Sequence, residues 1–117
     1  LPKDHPLCEY ERIPLAEIEK YPFILQEKDN NTSSREFFLK KGINLRVDFA
    51  TWDDYAIMSM VESGLGISVL PELILKRCAY DIEIKSLEEP FIREMGIIMK
   101  DRERLPIAVK RLLKYLV

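Results

Sequence analysis

The sequence predicts an α/β fold, a sheet with helices on both faces. Short apolar strand-like runs alternate with capped helix patterns along the chain, glycines fall where those helices should stop, and period-two segments separate the helical ones. The 117 residues suffice for one domain. Their 18 Lys and Arg against 20 Asp and Glu leave a net charge of −2, which is no footprint for gripping nucleic acid. A hydrophobic share of 47% with only 4 Gly and 7 Pro excludes disordered and collagen-like classes.

Residues 1–22 carry Pro2, Pro6, Pro14 and Pro22, leaving room only for one or two helical turns over residues 15–20. The apolar run 23–26, bounded by Pro22 and the polar cluster 28–34, reads as a buried strand followed by a loop. A helix follows: Ser33 with Glu36 makes a capping box, Phe37 and Phe38 give an apolar face, and Gly42 supplies the stop. Ile43, Leu45, Val47 and Phe49 alternate with Asn44, Arg46 and Asp48, placing four apolar side chains on one sheet face.

Thr51 with Asp54 forms a second cap signature, and Ala56, Ile57, Met60 and Val61 recur at helical spacing up to Gly64. After the Gly64, Leu65, Gly66 turn, residues 67–70 read as a third strand, and Pro71 opens a helix to about Arg77. Residues 81–87 and 94–100 are two further strand candidates. The terminal helix carries Leu105, Val109, Leu112, Leu113 and Leu116 on one face and Arg104, Lys110, Arg111 and Lys114 on the other.

In such folds ligands bind beyond the carboxyl ends of the strands, where the helix starts near Ser33 and Thr51 would aim N–H groups and positive dipole ends. A small anion such as a carboxylate suits that rim, with Thr32, Ser33, Ser34 and Thr51 beside it. Plain helix capping explains the same residues. Trp52 either walls a cleft or packs; Gln26 either orients a ligand through its amide or satisfies loop backbone.

Cys8 and Cys78 are too few and too separated for a disulfide framework or zinc site, and read as reduced thiols. The one histidine, His5, lies in the proline-rich leader, and no Ser, His, Asp order follows it. Adjacent acids such as Asp53 and Asp54 make poor acid and base pairs, so no enzyme, no cofactor and no metal are expected. No apolar run approaches the roughly 20 residues needed to cross a bilayer, and the first residues lack signal-peptide character, so a cytoplasmic location is expected. Leu1 in place of Met reads as a start inside a longer protein.

Residues 53–72, DDYAIMSMVESGLGISVLPE, resemble the signature of the effector-binding domain of LysR-type transcriptional regulators. DHPL at 4–7, IPLAEI at 13–18, PFIL at 22–25 and the final basic amphipathic helix agree in order, so the resemblance covers essentially the whole chain. It implies part of a two-lobed domain similar to type 2 periplasmic binding proteins, with a metabolite held between lobes. By that resemblance residues 1–20 are a leading hinge segment, 21–93 the second lobe, and 94–117 the returning strand and C-terminal helix of the first lobe. The DNA-binding helix-turn-helix and most of the first lobe would lie elsewhere in the parent protein, which is expected to form a homo-oligomer. Effector contacts carried over from the family are Gln26, Thr32, Ser33, Thr51, Trp52 and Ile67. A solute-binding protein of the same fold, acting in transport, is the alternative.

Overall fold

The computed structural model describes residues 1–27 and 33–116, apart from the side chain of Ser33. Its centre is strand β2 (Pro22–Gln26), whose three middle residues are buried. Strand β3 (Arg46–Thr51) pairs parallel along one edge. On the other edge Ile67 makes a parallel bridge to Phe23, donating to Pro22 O at 2.9 Å and accepting from Ile24 N at 2.8 Å. Period-two geometry then sends alternate β2 side chains to opposite faces. Phe23 and Leu25 join Leu7, Ile13, Ile18, Phe38 and Ile67 in one core cluster, while Ile24 packs with Ile57 and Val61 in another.

Helix α2 (Ser33–Lys40) therefore covers one face through Phe38, and helix α3 (Asp54–Glu62) covers the other through Ile57 and Val61. Each such fully buried side chain contributes roughly 1.5–3 kcal/mol relative to leaving it in water. The expected sheet with helices on both faces is the observed arrangement. Both helices stop at the expected glycines: Gly42 and Gly64 have φ of 73° and 76°, a region that disfavours residues with a Cβ. Gly66 is needed for a different reason, because a Cβ there would lie 2.7 Å from Pro22 O.

The leading segment forms a 3-10 turn over Pro6–Glu9, strand β1 (Arg12–Ile13) and the short helix α1 (Leu15–Ile18). β1 pairs parallel with β4 (Ser86–Leu87), and Pro2 bridges antiparallel to Ile82. Helix α4 (Glu72–Leu75) is shorter than the expected run to Arg77, and α5 (Ile107–Leu116) ends the chain. Among the described residues no helix is long and apolar enough to cross a membrane.

Several expected elements come out differently. A register shift pairs Phe23 with Val47 but Ile24 with Phe49, so Asp48 is an extra residue. That shift breaks the alternation of 43–49: Val47 packs on the core but Phe49 is 42% exposed. The third strand ends at its first residue because the Ser68 hydroxyl donates to Ile24 O at 2.7 Å, where a continuing backbone would have supplied the donor. Of 81–87 only Ser86–Leu87 is strand, with the separate bridge at Ile82. Residues 94–100 form no strand: among the described residues no neighbour pairs with their backbone, and Ile98 is fully exposed. The apolar stripe of α5 is likewise uncovered, with Leu112 and Leu116 exposed.

His5 precedes the 3-10 turn and accepts from Leu7 N through Nδ1 at 3.2 Å, while its ring meets Tyr21 edge-on at 4.5 Å. Only the neutral imidazole has an acceptor nitrogen. Burial pushes its pKa down, and the positive Leu1 amino group pushes the same way. A depressed folded value means this contribution is present above the unfolded value of about 6.5 and is lost as pH falls through the folded one. Urea unfolding should therefore show stability falling below pH 6.5, and His5→Asn, which keeps a cap acceptor that cannot titrate there, should flatten that slope at a cost under about 1 kcal/mol.

Candidate functional site

Parallel strands β2 and β3 end side by side, with Gln26 paired to Thr51. The chain leaves β3 through Trp52 directly into α3, and α2 begins with Ser33, so both helices start near the carboxyl ends of the strands. That is the location at which α/β sheets bind ligands. An open cleft of about 940 Å³ reaches this end of the sheet; its lining includes Gln26, Ser34, Trp52, Ile67, Ser68 and Arg93, and it extends to Leu1, Arg12 and residues 70–75.

The segment 88–91 is pinned by several contacts. Glu88 N donates to Ile13 O at 2.8 Å, Lys41 pairs with Glu89, and Phe91 stacks on Phe37 with centroids 4.8 Å apart. These bonds bring Arg93 to the lip formed by β2 and α3, where its charge acts on Asp54.

Of the six residues named from sequence, Gln26, Trp52 and Ile67 line this cleft. Gln26 donates through Nε2 to Asp54 Oδ1. That bond fixes the amide plane and leaves its carbonyl oxygen and one N–H to meet another group. Trp52 is 69% exposed, an indole standing at the rim with its N–H donor. Ile67 is a different kind of member: its side chain is 2% exposed in the core and both its backbone groups bind β2, so it supplies apolar floor.

Thr51 does not line the cleft. Its Oγ1 accepts from Asp53 N at 3.3 Å and its carbonyl accepts from Glu27 N at 3.1 Å. The expected Thr51 cap is corrected accordingly: Asp53 is the N-cap of α3, its Oδ1 accepting from Tyr55 N at 2.9 Å and Ala56 N at 3.3 Å. Aspartate wins because its short carboxylate reaches both leading N–H groups and carries the charge the dipole favours. The α3 start is thus already occupied by an anion of the protein's own. Thr32 lies outside the described residues, as does the side chain of Ser33, and with them the proposed Ser33 capping box. Ser34, in the first turn of α2, is the one polar residue in the buried class among those described.

Arg93 lines this cleft, and Asp54, which does not, holds Gln26 beside it; sequence reading named neither as a candidate contact. Asp54 was accounted for by its place in the first turn of a helix, a rule that says nothing of its bond to Gln26. Burial raises its pKa, the neighbouring Asp53 charge adds to this, and Arg93 and the Gln26 hydrogen bond oppose it. Nothing in the local pattern of 90–93 distinguishes Arg93 from a solvated surface charge. Among the described residues no group of three or more His, Cys, Asp or Glu is placed to hold a metal ion.

Comparison with known proteins carries the argument beyond geometry. The chain is 32% identical over 71 residues to the RuBisCO operon transcriptional regulator of Allochromatium vinosum, covering 59% of this chain and 24% of that protein. It is 25% identical over 112 residues to the HTH-type transcriptional regulator TtuA of Agrobacterium vitis, 92% of this chain and 34% of that one. An HTH-type transcriptional regulator of Bacillus subtilis, YybE, is 37% identical over 75 residues, covering 62% and 26% respectively. The chain thus spans about a quarter to a third of the length of these relatives. The profile of the LysR substrate binding domain matches residues 1–117, from end to end. On that match and on the two-faced sheet with its cleft, the chain belongs to the LysR substrate binding domain family.

Proposed function

We propose that this chain is the effector-sensing part of a LysR-type transcriptional regulator, in which a small molecule bound in the cleft biases DNA binding by another part of the same protein. The observation that carries this reading is the convergence of Gln26, Trp52 and Arg93 on one cleft at the carboxyl ends of two paired parallel strands. The relatives are transcriptional regulators by name, which supports this reading over a transport protein and over an enzyme. An effector acts by binding two arrangements of the domain unequally; without differential affinity it shifts nothing.

In this reading residues 1–20 lead in, 21–93 form the second lobe, and 94–117 return to a first lobe supplied by the rest of the protein. The unpaired backbone of 94–100 and the uncovered apolar stripe of α5 support that division, since both are surfaces of the kind that another part of a fold covers. The parent would work in the cytoplasm as a homo-oligomer that contacts DNA through its helix-turn-helix.

The chemistry of the lip bears on the effector. The α3 start is capped by Asp53, so a carboxylate effector would be held from the α2 start or by Arg93, while the oriented Gln26 amide meets a hydroxyl, amide or carbonyl group. Thr51 acts one step away, by holding the Asp53 backbone.

Gln26→Leu, in the longer regulator and against an effector found by its effect on promoter binding, should weaken the effector response at least tenfold. Promoter affinity without effector should stay unchanged. An unaltered titration would remove Gln26 and this cleft from the account. Asp54→Asn tests whether the lip is kept for binding and not for stability. A raised carboxyl pKa is a penalty on the charged folded state, present above the raised folded value and gone below the ordinary unfolded one. The variant should thus be as stable as the parent or slightly more so at pH 7, by well under about 1 kcal/mol for this half-exposed group, as read by thermal melts at pH 7.

A further inference from the structure

The cleft that reaches the lip also borders a second ladder, the one formed by β1 and β4, through Arg12, Lys85 and Ser86. Arg12 is the register partner of Ser86, and Ile13 that of Leu87. Alternation along a strand then puts the two pairs on opposite sides of the ladder. Ile13 and Leu87 pack in the core, while Arg12 and Ser86 are both exposed. Paired strands lie about 4.8 Å apart and consecutive Cα atoms about 3.8 Å apart, so the Cα atoms of Arg12 and Lys85 are within about 9 Å of each other. Two side chains of such length, starting that close, can meet on one small group.

The charge along the cleft is lopsided. The acids that line it are already matched: Glu27 lies 3.7 Å from Arg35, Glu72 3.7 Å from Lys76 and Glu83 3.7 Å from Lys3. Of the basic side chains that line it, Arg93 has the charge of Asp54 near it. Arg12 and Lys85 take part in no ion pair among the described residues, and the Ser86 hydroxyl makes no hydrogen bond there. Two like charges held this close repel, the more so as water is excluded between them. An anion set between them removes that repulsion and is attracted by both.

We propose that Arg12, Lys85 and the Ser86 hydroxyl form a second anion subsite of the cleft, in addition to Arg93 at the lip, and that it takes a carboxylate or phosphate group of the small molecule held there. The inference rests on the reading of this cleft as a small-molecule site and adds where charge on that molecule is met. Arg12 offers its planar fork to two oxygens, Lys85 supplies a compact charge, and Ser86 donates one hydrogen bond. Gln26 belongs to a different ladder, so the ligand's charge and its neutral polar groups are read by separate strands.

The test is a titration of the full chain with inorganic phosphate, followed by amide NMR of the isotopically labelled protein, at constant ionic strength with potassium chloride making up the balance. Saturable shifts are expected at the amides of Arg12, Ile13, Lys85 and Ser86. Arg12→Gln and Lys85→Gln should each weaken the midpoint roughly fivefold, and Arg12→Lys should weaken it less. Unchanged amide positions elsewhere in the spectrum establish that each variant is folded. Shifts that follow ionic strength alone, shifts with no preference for this ladder, no saturation, or an unchanged midpoint in the Arg12→Gln, Lys85→Gln double variant would each overturn the proposal. The Gln26→Leu result in the longer regulator is a separate readout. A response lost there, with no phosphate on the β1–β4 ladder, removes the second subsite and keeps the lip; phosphate on the ladder with an unaltered Gln26→Leu response does the reverse.

Discussion

Everything in this domain hangs on a five-residue strand that is covered on both faces and bonded along both edges. Phe23 and Leu25 need the α2 side, Ile24 needs the α3 side, and the backbone of Pro22 to Gln26 needs β3 and Ile67. A polar backbone buried so fully must find its hydrogen bonds within the fold. That demand fixes where Ile67 lies, why Gly66 can carry no Cβ beneath Pro22 O, and where the two strand ends come together. The cleft lip is a consequence of that strand: Gln26 is its last residue, and Thr51 its paired partner.

The same constraint explains which parts of the fold were legible in the sequence. Helices α2 and α3 announced themselves through capping residues, apolar spacing and stop glycines, because those signals are local and the physics they report is local. The strands were harder. Residues 67–70 and 94–100 are both short apolar runs, yet one is a single bridge and the other has no pairing among the described residues, because a strand exists only where a neighbour meets its backbone. The bulge at Asp48 was hidden for the same reason. A perfect alternation over 43–49 can be interrupted by the register of its partner, which the strand's own residues do not encode.

For the site, the division is similar. The resemblance names Gln26 and Trp52 because it points to the ends of particular elements, and in the fold both line one cleft. Asp53 was overlooked as the cap in favour of Thr51, two candidates within three residues that spacing rules scarcely separate. Arg93 was out of reach, since its place depends on Phe91 stacking against Phe37 and on Lys41 meeting Glu89, contacts between segments about fifty positions apart. Asp54 shows how one residue can satisfy a local rule and still take part in a site, by holding the Gln26 amide in a single orientation.

In the proposed function a small molecule binds at the lip where β2 and β3 end. Trp52 is the only tryptophan among the 117 residues and stands exposed at that lip, so its own fluorescence reports on the site. The decisive measurement is a titration of Trp52 emission with an effector whose binding calorimetry has established. A saturable shift in emission with the calorimetric midpoint is the result the account predicts. Full calorimetric binding with no change in Trp52 emission or in its quenching by iodide would contradict it.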